Sequence, residues 1–258
     1  MDDNQKARRR FLARTLGAAG TLALGGCERL SHTEWFPKVL SGAEVASSAV
    51  AHAVTSRRSM AQEFTEADRS PSFRSNGTAK PDTDDYRTLA ASAFAGYKLE
   101  VDGLVDRPSS FSLAELRALP SRTQITRHDC VEGWSAIAKW KGARLSALLE
   151  AVRPKAEARF VVFYCADPMD DDGTDFYYES IDFEDAFHPQ TILAYDLNDA
   201  VLPVANGAPI RLRVERQLGY KHAKYVMRIE LVDSFAEIEG GKGGYWEDSQ
   251  GYAWFAGI

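Results

Sequence analysis

The 258-residue chain is 45% hydrophobic and 26% charged, enough for one large packed domain or two small ones. Its 31 Lys and Arg against 37 Asp and Glu leave a net charge of −6, and that acidity argues against nucleic acid as a partner. The N-terminus runs the other way, with an excess of Lys and Arg before Cys27.

Arg8-Arg9-Arg10-Phe11-Leu12 opens a Gly/Ala-rich apolar run from Leu16 to Gly26. The run is too short to cross a bilayer and has no polar face. Residues 1–27 therefore read as an export signal of the twin-arginine type, which places the mature protein in the periplasm. Leu24-Gly25-Gly26-Cys27 also has the form of a lipoprotein cleavage box, in which Cys27 becomes a lipid anchor; an ordinary signal-peptidase site is the competing reading.

Residues 28–69 form a lead-in, where Leu40, Ala43, Ala46 or Ser47, Val50 and Val54 recur at helical spacing. A loop follows from Ser70 to Pro81, rich in Pro, Ser, Asn and Gly. Tyr97–Val105 alternates as a strand, and Ser112 with Glu115 makes a capping box for a helix that Pro120 ends. Thr123–Thr126 is β-type; Leu145–Leu149 is helical, closed by Pro154; Arg159–Tyr164 is a buried strand. Tyr177–Ile181, Ile210–Val214 and Tyr225–Val232 read as further strands, with a short helix at Phe183–Phe187. Short strands interleaved with short helices, without a βαβ rhythm, predict an α+β domain over 70–235. The Gly- and aromatic-rich tail, 236–258, folds back as a cap.

Three segments invite chemistry. In Arg127-His128-Asp129-Cys130-Val131-Glu132-Gly133-Trp134 a cysteine ends a β-type run, and neighbouring Arg127 and His128 would lower its pKa. Cys130 is then a nucleophile, a redox thiol or a soft-metal ligand, unless it is one of the many inert buried cysteines. Asn206-Gly207-Ala208-Pro209-Ile210-Arg211 and Gly219-Tyr220-Lys221-His222-Ala223-Lys224 combine turns with basic residues. They suit a phosphate, or else are two solvated basic turns. The three cysteines make no CxxC pair, the histidines no HxxxH zinc spacing, and no GxSxG elbow occurs. Asp170-Asp171-Asp172-Gly173 lacks EF-hand spacing and reads as a solvated turn.

Taken together, the Ile125–Ser135 run, Trp140-Lys141-Gly142 and the two basic turns resemble the sulfite oxidase superfamily, in its methionine sulfoxide reductase branch. The resemblance covers about Phe73 to Val232 and implies a sulfite-oxidase-type fold of mixed β-sheets with short helices. It implies a molybdenum–molybdopterin cofactor with Cys130 as the thiolate on the metal, a soft ligand for a redox metal. By the same resemblance Asn206, Arg211, His222, Ala223 and Lys224 contact the pterin and its phosphate. Asn76 belongs to a pterin loop and Cys165 to the pocket wall, where the family has Thr or Ser. Where sulfite oxidases follow the metal cysteine with a basic cluster, this chain has Val131-Glu132-Gly133-Trp134, whose carboxylate would repel sulfite. The implied reaction is oxygen-atom transfer on a neutral substrate such as a sulfoxide, small or protein-bound. Trp134 and Trp140 are candidate pocket aromatics, and the electrons pass through an external partner, a membrane cytochrome b being family-like. The alternatives are a sulfite dehydrogenase-like enzyme, a metal-free redox protein using Cys130 with Cys165, and an electron-transfer module without turnover.

Overall fold

The computed structural model describes residues 58–258 and, before them, only Thr33, Trp35, Phe36, Lys38, Val39, Gly42 and Ala43. The expected export signal, Cys27 and nearly all of the Leu40–Val54 helix lie outside the described residues. Contacts divide the chain into residues 1–56 and 57–258.

Two five-stranded sheets build the second unit. The first has the order β2 (Ser109–Ser112), β1 (Lys98–Gly103), β10 (Val226–Val232), β5 (Phe160–Pro168), β6 (Phe176–Asp182). Its β1–β10 pair is parallel and its other pairs antiparallel. The second runs β3 (Ser121–Cys130), β4 (Trp134–Arg144), β7 (Ile192–Leu197), β8 (Ala200–Val201), with β9 (Arg211–Arg213) also pairing β7. The helices are short: α1 (Asp84–Ala91), α2 (Leu113–Ala118), α3 (Leu145–Val152), α4 (Phe183–Ala186) and α5 (Tyr245–Gln250). This is the α+β composition expected from the sequence.

Burial follows local pattern. Leu145, Leu148, Leu149 and Val152 line one face of α3 and are fully buried, as the helical spacing requires. They join Leu99, Val161, Phe163, Ile181, Leu193, Leu212 and Ile229 in one apolar cluster drawn from both sheets. Each such side chain contributes about 1.5–3 kcal/mol by leaving water. The capping box forms as read: the Glu115 amide donates to Ser112 Oγ at 3.3 Å, and the Ser112 amide to Glu115 Oε2 at 2.7 Å.

Several elements went unread in the sequence, among them α1, β2, β4, β7 and β8, and within the expected C-terminal cap the helix α5. Helix α1 is capped by Thr83 but is charged and apolar by turns. Strand β4 carries Ala, Lys and Gly, weak strand formers, yet pairs along its whole length with β3 and, over Trp140–Arg144, with β7. Pairing outweighs propensity there. The tail is held by bridges Glu179–Gly244 and Gln217–Gly257 and contributes α5.

Candidate active site

Cys130 is the last residue of β3, paired with Trp134 across a three-residue loop. Gly133 closes that loop with φ +84°, a left-handed conformation that glycine adopts without strain, and its amide donates to Cys130 O at 3.0 Å. Strand periodicity puts Gln124, Thr126, His128 and Cys130 on the inward face, the first three buried. Arg127 and Asp129 face outward and pair with each other at 2.9 Å. The electropositive setting expected from Arg127 and His128 is therefore absent. Burial pushes the Cys130 thiol up, with Glu132 adding to the rise and backbone amides and Arg74 opposing it.

His128 is buried and held neutral, its pKa depressed well below the usual value by burial, then by Arg213, Arg211 and Lys224. Arg213 Nη1 donates to His128 Nδ1 at 2.9 Å, so the ring proton sits on Nε2. Arg213 is itself locked by Glu215, which also accepts from Gln124. The His222 ring lies T-shaped on His128 at 5.0 Å and donates from Nε2 to Gln217 O at 3.0 Å. Gly219 passes so close that a Cβ there would lie 2.7 Å from His128 Nε2. Only glycine fits that approach.

The two basic turns meet beneath the Cys130 loop. Arg211 is fully buried and donates to Asn206 O at 3.0 Å and His222 O at 3.4 Å. Lys224 Nζ donates to Asn76 O at 2.6 Å, to Thr78 O and to Ala205 O at 3.3 Å, clamping the 76–78 loop onto the turn at 205. Burial and Arg211 pull the Lys224 ammonium down to about 7, while burial pushes Asp167 up to about 6 against the pull of Lys224. Burial and Arg213 also lower Arg211, which as an arginine stays charged. Among the described residues neither Arg211 nor Lys224 forms an ion pair with a carboxylate. Asp167 is the acidic neighbour that acts on Lys224 electrostatically, and it does so against the pull of burial and Arg211.

A cavity of about 230 Å³ opens above this floor, lined by Asn76, Gly77, Thr78, Cys130, Val131, Glu132, Asp167, Met169, Tyr177, Gly219, Tyr220, His222, Lys224, Trp246 and Tyr252. Buried polar atoms without a partner concentrate around it: Asn76 Oδ1, Asp167 Oδ1 and His222 Nδ1 on its wall, and Asn206 Nδ2, Arg211 Nε and His128 Nε2 on the residues packed behind. Such an atom left unpaired costs about 1–3 kcal/mol. The three on the wall are acceptors and the three behind are donors, a set that fits a polar ligand carrying both kinds of group, while the partly buried thiol of Cys130 supplies a soft donor on the same wall.

Of the residues expected at the site, Cys130, Asn76, His222 and Lys224 line this cavity, and Asn206 and Arg211 stand directly behind it. Ala223 is fully buried in the apolar core, its carbonyl accepting from the Leu212 amide. Cys165 lines a different cavity, with Tyr86, Tyr164 and Tyr178, and burial raises its thiol far above the usual range. Both cysteines are free thiols. Trp140 is core, under the guanidinium groups of Arg211 and Arg213 at 5.2 and 4.4 Å. Trp134 instead packs edge-on to Phe73 at 6.2 Å and donates to Glu132 at 3.0 Å. Sequence reading missed Asp167, Met169, Tyr177, Trp246 and Tyr252. Asp167, a charge closing a β-run of apolar residues, was the one local signal of the five.

Residues 87–237 match the oxidoreductase molybdopterin binding domain family. A protein of Azospira oryzae with the provisional name protein-methionine-sulfoxide reductase subunit YedZ1 is 37% identical over 251 residues, which are 97% of this chain and 88% of that protein. The protein-methionine-sulfoxide reductase catalytic subunit MsrP of Xanthomonas axonopodis pv. citri is 33% identical over 196 residues, 72% of this chain but only 58% of its own length. Among solved structures, the sulfane dehydrogenase SoxCD of Paracoccus pantotrophus aligns with a TM-score of 0.49 and 23% identity, over 56% of this chain and 41% of that one. The buried basic floor and the thiol above it thus lie within a matched domain, and the chain belongs to the molybdopterin-binding oxidoreductase family of the sulfite oxidase superfamily.

Proposed function

We propose that the protein is an exported molybdenum–molybdopterin enzyme that transfers an oxygen atom from a neutral sulfoxide-type substrate and receives electrons from a separate membrane partner. The observation that carries this is the division of one cavity. Its floor holds buried basic side chains and unpaired polar atoms, its wall holds a thiol, and its remaining lining includes two acids, Glu132 and Asp167, and several apolar side chains.

Arg211 and Lys224 would hold the cofactor's anionic end, with Asn76, Asn206 and His222 supplying its polar contacts. Cys130 would ligate the metal through sulfur. When bound, the group supplies two-electron oxygen-atom transfer at molybdenum. The Arg213–Glu215 pair fixes the His128 ring and tautomer, and His128 packs the inward face beside Cys130. Glu132 places a carboxylate two residues from the thiol, in the cavity, and disfavours an anion such as sulfite. A two-cysteine redox role fits less well, because Cys130 and Cys165 line different cavities and both thiols are raised.

The relatives' names are those of reductase subunits, which supports a separate electron donor; a membrane cytochrome b is the proposed one. The Arg8-Arg9-Arg10-Phe11-Leu12 signal supports twin-arginine export to the periplasm, with Cys27 as a lipid anchor if the cleavage box is used. The test is elemental analysis for molybdenum and pterin fluorescence on protein made with its signal intact. It is followed by turnover of methionine sulfoxide, an N-oxide and sulfite with a dye as electron donor or acceptor. Near-stoichiometric molybdenum with sulfoxide turnover supports the reading. Sulfite oxidation without sulfoxide reduction overturns the substrate assignment, and metal-free active protein overturns the whole.

A further inference from the structure

Cys130 and the two basic turns account for one side of the cavity; the other side comes from a part of the chain that the chemistry has not used. Trp246, on α5, and Tyr252, just beyond it, reach the cavity from the C-terminal tail. Their rings stack at 6.0 Å and 27°, and Tyr252 meets Tyr220 edge-on at 5.1 Å. The Tyr252 amide donates to Trp246 O at 3.2 Å, which ties the two residues together through the backbone. Tyr252 remains 38% exposed and Trp246 is half-buried, which leaves aromatic surface uncovered at the cavity. Met169 and Val131 add apolar surface to the same lining, and Val131 is 45% exposed.

This surface is built rather than draped. Lys221 Nζ donates to Glu247, the neighbour of Trp246, at 2.8 Å, with both groups buried. Tyr220 donates to Ala253 O at 2.6 Å, and the Leu218 amide to Ala256 O at 2.9 Å. The segment 217–222 that carries His222 therefore also anchors the aromatic pair. Substrate-side wall and cofactor-side floor share one rigid connection.

We propose that Trp246 and Tyr252 are specificity-determining residues that receive the apolar, sulfur-bearing arm of the substrate. Aromatic rings favour sulfur and methyl groups at their edges and faces, and a thioether-like Met169 beside them adapts to an unbranched chain. The ligand class is an alkyl methyl sulfoxide on a flexible uncharged arm, as in a methionine sulfoxide residue with its amino and carboxyl groups blocked. The α-carboxylate of a free amino acid would instead meet the like charge of Glu132 in this cavity.

The inference rests on the sulfoxide reading, and the experiment separates the two. Molybdenum-loaded wild type, Trp246→Ala, Tyr252→Ala and the conservative Trp246→Phe and Tyr252→Phe are assayed with N-acetylmethionine sulfoxide amide and with dimethyl sulfoxide. Binding of the non-reducible N-acetylmethionine sulfone amide is measured by calorimetry. The ratio of kcat/KM for the long-arm over the short sulfoxide should fall about tenfold in the alanine variants, chiefly through KM, the usual scale for losing an apolar pocket contact. Sulfone affinity should fall with it, and the phenylalanine variants should recover most of both. An unchanged ratio with unchanged sulfone affinity overturns the specificity role while leaving sulfoxide reduction standing. Loss of molybdenum in the phenylalanine variants assigns the pair to the cofactor instead. A wild type that reduces neither sulfoxide removes the function itself, and this inference with it.

Discussion

Lys221 and Lys224 are three residues apart and both are buried, yet they have opposite surroundings. Lys221 sits between the carboxyl groups of Glu179 and Glu247, all of them fully or almost fully out of water. Lys224 donates instead to backbone carbonyls, from Asn76, Thr78 and Ala205, lies over the Tyr225 ring, and among the described residues has no carboxylate within ion-pair distance, Asp167 acting on it only from further away. Two residues apart on β9 the same division recurs. Arg213 is ion-paired with Glu215, while Arg211 meets carbonyl oxygens and keeps an unpaired Nε. A buried charge with its counter-charge in place is complete as folded protein. One without it is costly unless a ligand supplies the counter-charge. Balance, not basicity, distinguishes the cations that hold the fold from those we propose for the cofactor.

The largest expected effect lies where the unbalanced side meets the thiol. Cys130→Ser should abolish turnover and alter the metal's spectrum, with the melting temperature of the protein almost unchanged because the site is partly exposed. Retained turnover would remove Cys130 from the chemistry. Next, Lys221→Met should destabilise the protein by about 3–5 kcal/mol in urea unfolding, since it removes the buried partner of two acids, Glu179 and Glu247. A loss no larger than that of Lys224→Met would erase the distinction between the two lysines. Third, Arg211→Ala and Lys224→Met should lower molybdenum and pterin content several-fold while costing the cofactor-free protein less than Lys221→Met does. Wild-type cofactor content in both variants would break the comparison from the other side.

The smallest effect concerns pH. Burial, then Glu247, holds the Glu179 carboxyl well above its ordinary value of 4.5, against the opposing pull of Lys221. Between 4.5 and that raised value the folded protein keeps a proton that the unfolded chain has lost. Its contribution therefore falls as pH rises through the window, by at most about 1.4 kcal/mol per pH unit. Glu179→Gln should flatten that slope and leave stability at acidic pH close to wild type. An unaltered slope would mean that the carboxyl is ionised in the fold.

Some of this was legible residue by residue. The Ser112–Glu115 box and the strand ending at Cys130 depend on neighbours within a few positions, and both formed as read. The electropositive neighbourhood of Cys130 was misread because period two sends Arg127 outward, where Asp129 takes it. The partition of Cys165 from Cys130 could not be seen either, since both follow β-type runs and only the packing of the strands assigns each sulfur to a cavity.

By itself the sequence determined which segments to bring together, the Cys130 run and the two basic turns, whose residues the structure places at or behind one cavity. Only the tertiary structure decided which basic residues are spent on the fold and which face the cavity. The groups that decide it come from far along the chain. Glu179 is 42 residues from Lys221 and Glu247 is 26, while the carbonyl of Asn76 that receives Lys224 is 148 away. Charge balance in a buried site is a sum over spatial neighbours, and spacing along the chain does not contain it.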